Sequence, residues 1–169
     1  APAKRAVSFT LNPTNAVRVL YCCVLRGETP AESAWIAREA AAPVQLTVGE
    51  LEAGTAYTLL ARAENRRGVA GETVTHDFET LRLPSLVVGD ITTTAEGAEV
   101  RVKTADAQQL FWACVRAEAE DPTEFTQVEA AEEVTVQLTG LMPDTEYRFC
   151  AYVADADSRS DLAAKNFRT

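Results

Sequence analysis

Four cysteines, one histidine and two charged loops carry the most reactive side chains of this chain, and their spacing supports little chemistry. Cys22, Cys23, Cys114 and Cys150 contain no Cys-x-x-Cys pair, and His76 stands 38 residues or more from each of them. A zinc site needs converging ligands, usually in closely spaced pairs, so zinc is disfavoured. Asp155, Asp157 and Asp161 alternate as the ligands of a calcium loop do. The sixth position of that run is Ser160 rather than glycine, however, and the twelfth is Asn166 rather than glutamate. Turn formation is its expected role. There is no Gly-rich phosphate loop, nucleophile elbow or paired apolar-flanked carboxylates, so no catalytic residue, metal ligand or cofactor is assigned. His76, just before Asp77-Phe78, reads as a surface strand residue.

Apolar and polar residues alternate around the cysteines. With Arg18 facing solvent, Val19, Tyr21 and Cys23 point inward, as do Leu110, Trp112 and Cys114. Tyr147, Phe149 and Ala151 then face the core and Cys150 faces out. Cys114 and Cys150 fall on opposite faces, and so do the neighbours Cys22 and Cys23, a poor geometry for bridges. Four free thiols are expected, with Cys23 and Cys114 as small core residues; a register shifted by one would reverse the assignment.

These residues ride on a repeated framework. Leu51-x-x-x-Thr55-x-Tyr57 recurs as Leu141-x-x-x-Thr145-x-Tyr147, and each copy ends on Phe-x-Thr, at Phe78 and Thr80 and at Phe167 and Thr169. A period of ninety residues matches one small domain, which divides the chain into residues 1–82 and 83–169. Alternating runs predict strands at 9–11, 17–25, 44–48, 57–63 and 73–78, then at 86–92, 100–102, 110–114, 134–138, 147–153 and 163–167. Turn residues lie between them, so the fold class is all-β, two consecutive sandwiches. Thr29-Pro30-Ala31-Glu32 and Asp121-Pro122-Thr123-Glu124 each have the form of a capping box, which predicts one short helix after the third strand of each sandwich. In the first repeat that helix would reach about Glu39, with Trp35 and Ile36 packing it down.

Charge separates the repeats. Acids and bases balance in residues 1–82, so the whole net charge of −9 falls in 83–169. Such a surface repels phosphate backbones and sulfated glycans, which disfavours nucleic acid as a partner. No run of about 18 apolar residues is long enough to span a bilayer, and Ala1-Pro2-Ala3-Lys4-Arg5 enters a strand without the apolar region of a signal peptide. Direct membrane insertion of this segment is not expected.

The Leu-x-x-x-Thr-x-Tyr corner, the strand from Tyr57 to Asn65 and the closing Phe-x-Thr resemble a fibronectin type III domain. That resemblance implies an immunoglobulin-like sandwich and makes Tyr57 and Tyr147 its tyrosine corners. The step from an aromatic strand into Thr/Asp-Pro-x-Glu also resembles modules of surface lipoproteins from Bacteroides-type bacteria. This implies an exported bacterial protein at the cell surface or outside the cell. The first repeat departs from the pattern: only eight residues precede Phe9, so its first strand is missing or shortened. Either Ala1 to Lys4 make an abbreviated strand in a monomer, or the bare edge pairs with another chain.

Two functions fit this reading. One is a non-catalytic module for adhesion or protein interaction, binding an unidentified protein or glycan. Its candidate contacts are Arg66 and Arg67, in the loop between the last two strands of the first repeat, and Tyr152, outward by alternation. The other is a structural spacer, or an accessory module of a secreted glycan-acting enzyme. The short connector Leu81-Arg82-Leu83-Pro84-Ser85 is expected to be stiff.

Overall fold

The computed structural model of the chain describes residues 2–40 and 43–169. It separates into two compact units, residues 1–82 and residues 83–169. Unit one contains β1 (Val7–Leu11), β2 (Arg18–Leu25), β3 (Ile36–Glu39), β4 (Val44–Val48), β5 (Ala56–Glu64) and β6 (Val74–Glu79). Its two sheets run in the orders β1-β4 and β3-β2-β5-β6. Unit two contains β7 (Ser85–Thr93), β8 (Gly97–Ala105), β9 (Gln109–Arg116), β10 (Thr126–Glu129), β11 (Glu133–Thr139), β12 (Glu146–Ala154) and β13 (Ala163–Arg168). Here the orders are β11-β8-β7 and β10-β9-β12-β13. Every pairing is antiparallel.

Each core lies between its two sheets and is built by the residues whose period of two marked the strands. Val19, Tyr21, Leu46, Leu59 and Phe78 are buried together in unit one, and Val100, Val102, Leu110, Phe149 and Val153 in unit two. Cys23 packs against the first core and Cys114 against the second.

The repeated motif is one hydroxyl clasp used twice. The Tyr57 hydroxyl accepts the Glu52 N–H at 3.0 Å, and the Tyr147 hydroxyl accepts the Met142 N–H at 2.9 Å. The last threonine of each copy closes the same corner. Thr80 Oγ1 accepts the Thr55 N–H at 2.9 Å and donates to the Glu52 carbonyl at 2.6 Å. Thr169 Oγ1 accepts from Thr145 at 3.2 Å and donates to Met142 at 2.6 Å. The phenylalanine of Phe-x-Thr stacks on the corner tyrosine, at 5.8 Å for both Tyr57 on Phe78 and Tyr147 on Phe167. Gly54 and Asp144 occupy matching left-handed positions in the two turns, at φ of 60° and 54°.

The predicted helices are not formed. Among the described residues, unit one has only a three-residue 3-10 helix, Glu32–Ala34, capped by Ala31 without a side-chain bond, and unit two has no helix. A first helical turn fixes several residues for one hydrogen bond, and here the chain has too few residues to recover that cost. Ile36 instead pairs with Tyr21 in β3, and Thr126 with Trp112 in β10. Both strands escaped sequence reasoning because four exposed or half-buried residues carry no clear alternation.

The first strand is the main difference between the units. In unit two, β7 pairs along β8 with a bulge between Val88 and Ile91. In unit one the corresponding place beside β1 holds only an isolated Pro2–Val7 bridge among the described residues.

Candidate interaction site

Tyr152 lies on the outer face of the four-stranded sheet of unit two, and its neighbours are set by strand register. Phe111 of β9 pairs directly with Tyr152 of β12, and their rings stack at 4.8 Å with only 8° between planes. Phe125, just before β10, meets the same ring edge-on at 5.1 Å and 73°. The Arg159 guanidinium stands 5.6 Å from the Tyr152 ring centre. A cleft of about 260 Å³ opens beside them, lined also by Pro122, Ser160, Asp161 and Leu162. Leu162 is 41% exposed and Tyr152 is half-buried. An aromatic plane, a neighbouring cation and apolar rims are the chemistry of a contact surface, since rigid rings supply area and arginine supplies directed hydrogen bonds.

The loop beside this cleft is held by Asp155. Its Oδ1 accepts the N–H groups of Asp157 and Ser158, each at 2.9 Å, and Ala154 bridges to Arg159. That carboxylate therefore shapes the turn that carries Arg159 to Tyr152. No cluster of three or more metal-ligating side chains occurs among the described residues.

Unit one places a related arrangement on its own outer face. Arg62, in the position that Tyr152 holds ninety residues later, lies 4.3 Å over the ring of Trp35 and pairs with Glu32 at 3.2 Å. Cys22, which alternates to the face opposite Tyr21 and Cys23, is 2% exposed. In unit two Arg148 donates to the Ala119 carbonyl at 2.8 Å and pairs with Asp121 at 3.1 Å, holding the loop after β9 over Cys150, which is fully buried. Cys150 does point away from the core, yet solvent does not reach it. Alternation gives the face of a residue, whereas the long connection that folds over that face decides its exposure.

All four cysteines are free thiols. Burial pushes the thiols of Cys23 and Cys114 up to about 11, and those of Cys22 and Cys150 up as well. A thiol held protonated is a poor nucleophile and resists oxidation.

Arg66 and Arg67 are exposed in the turn between β5 and β6 of unit one, whereas Tyr152 belongs to unit two. Asn65 Oδ1 accepts the N–H groups of Arg67 at 2.9 Å and Val69 at 3.2 Å, and Gly68 completes the turn at φ 77°. Glu64, which precedes this turn, is 7% exposed and bound by Arg18 in two places, at 2.7 and 3.1 Å. Sequence reasoning missed Phe125, Phe111 and Arg159 as companions of Tyr152, because their proximity depends on pairing between strands and on the loop path. His76 is an exposed β6 residue with its ring edge-on to Phe9 at 5.8 Å.

Two all-β sandwiches in tandem, each with a clasped tyrosine corner, define the class: a pair of fibronectin type III-like domains. No protein-family model matches the chain, and no curated protein matches it in sequence. Among solved structures it is similar to a two-domain fibronectin type III segment of chicken tenascin, at 18% identity and a TM-score of 0.46, covering 100% of this chain and 95% of that one. No helix among the described residues is long and apolar enough to cross a membrane.

Proposed function

We propose that this chain is a non-catalytic interaction module of an exported, cell-surface or extracellular bacterial protein, and that it contacts a protein partner through the Tyr152 face of unit two. The observation that carries the reading is the grouping of Phe125, Tyr152, Arg159 and Leu162 around one shallow cleft. Tyrosine and arginine beside exposed apolar groups are the residue types that dominate interface energies. The acidic excess of residues 83–169 favours a partner with basic groups around its contact area. Four unpaired thiols, two buried and two half-buried, each with its pKa raised by burial, are compatible with an oxidising location without requiring disulfides.

Wild-type chain and two variants, Leu162→Asp and Tyr152→Ser, should be applied to arrays of extracellular proteins and of glycans. The expected result is retention on protein features by the wild type and loss with both variants. Retention confined to glycans would replace the protein reading by that of an accessory glycan-binding module. Retention on neither, with every variant folded, would leave the spacer as the better account.

A further inference from the structure

The Tyr152 cleft has a shape and a charge pattern that select among protein partners. In the sheet order β10-β9-β12-β13, Pro122 and Phe125 belong to the connection between β9 and β10, whereas Arg159 to Leu162 belong to that between β12 and β13. The cleft between these two walls lies over the central β9–β12 pair, where Tyr152 stacks on Phe111. Phe125 meets Tyr152 at 73°, so the two rings form a notch rather than a flat plate. A compact apolar ring fits such a notch, and proline supplies one while keeping its chain extended.

The polar groups of the cleft are of two kinds. Arg159 stands over Tyr152 and forms no ion pair among the described residues, so its guanidinium remains open to acceptors. It repels another cation but donates to neutral carbonyls. Asp161 lines the same cleft and Glu124 adjoins Phe125; both are exposed and without an ion pair among the described residues. These acids lie in the half of the chain that carries the net charge of −9, and they favour a basic side chain at the rim. A polyproline II segment meets both demands. Its carbonyls make no internal hydrogen bonds, and its three residues per turn aim a proline at the notch and a basic residue at the rim.

Unit one shows the equivalent place closed. Ile36 pairs with Tyr21 as Thr126 pairs with Trp112, so Trp35 corresponds to Phe125. Arg62, at the Tyr152 position, lies over Trp35 and is held there by Glu32 at 3.2 Å. Ring, cation and acid satisfy one another within that unit, whereas the rim acids of unit two are left without a cation. Resting on the contact role of the Tyr152 face, we propose that unit two receives a basic, proline-containing segment of its partner in polyproline II conformation. The proline ring sits between Phe125 and Tyr152, Arg159 donates to the segment's carbonyls, and its arginine or lysine pairs with Asp161.

The test titrates the isotope-labelled full chain with a peptide of Pro-Pro-Arg repeated four times, followed by amide chemical shifts. Gly-Gly-Arg and Pro-Pro-Glu, repeated equally, control for positive charge without stiffness and for stiffness without positive charge. Shifts are expected at Phe125, Tyr152 and residues 159–162, with an affinity about tenfold or more above that of either control. Tyr152→Ser should weaken binding by about tenfold, and Asp161→Asn, an exposed change that leaves the core intact, by about threefold. Equal affinity for the glycine peptide would reduce the attraction to net charge and overturn the proposal, as would preference for the glutamate peptide or shifts centred on unit one. No binding by any peptide, with array proteins still retained by the wild type and lost with Leu162→Asp, would overturn polyproline recognition and keep the Tyr152 face as the contact. Absence of that retention as well would overturn both.

Discussion

At the scale of single residues, the repeated positions do structural work, and that work can be measured. Tyr57 and Tyr147 each satisfy one corner N–H, and Thr80 and Thr169 each join two segments of the same corner. Tyr57→Phe and Tyr147→Phe leave that partly buried N–H without its acceptor, so each should cost about 1–2 kcal/mol in denaturant unfolding. Thr80→Val removes both an acceptor and a donor and is expected to cost at least as much. A neutral result in all three would show that water replaces the clasp. The thiols give a second residue-scale prediction. Four should react with a thiol reagent in denaturant at pH 8 and react slowly in the native protein, because burial holds Cys23 and Cys114 protonated up to about 11. Fast reaction of Cys150 would mean that the loop after β9 opens readily.

At the scale of elements, connections and ion pairs decided what local sequence did not. The capping-box sequences were legible, but a turn before β3 or β10 had no room for a stable helix, and strand pairing won. Glu64 ties the end of β5 to Arg18 at the start of β2. The hydrogen bond from Arg18 holds its carboxyl below the usual carboxylate range. A carboxyl lowered in the folded state contributes stability that is present above its unfolded value and lost as pH falls through the folded one. Unfolding experiments should therefore show Glu64→Gln less stable than wild type at neutral pH, with the gap narrowing from about pH 5 downward. A gap independent of pH would assign the effect to packing rather than to charge.

At the scale of the whole chain, the two units share a framework and differ in charge. Balanced charge in residues 1–82 against the full excess in 83–169 predicts unequal responses to salt. Self-repulsion destabilises a compact unit of one sign and is screened at high ionic strength. Hydrogen exchange on the intact chain should show 0.5 M NaCl, on the order of a 4–5 Å Debye length, raising protection more in 83–169 than in 1–82. An equal rise in both would mean that the acids are too dispersed to repel one another.

The sequence by itself determined the tandem period, the all-β class, the strand faces and the corner residues. These follow from alternation and from short-range motifs, which are local properties of the chain. Tyr57 with Glu52, only five residues apart, is such a case. Tertiary structure alone decided that Cys150 is sealed and that Tyr152 shares a cleft with Phe125 and Arg159. Each of these depends on residues brought together by strand pairing or by a loop laid over a sheet. A sequence records which side chains alternate, whereas the path of the connecting chain determines which of them meet.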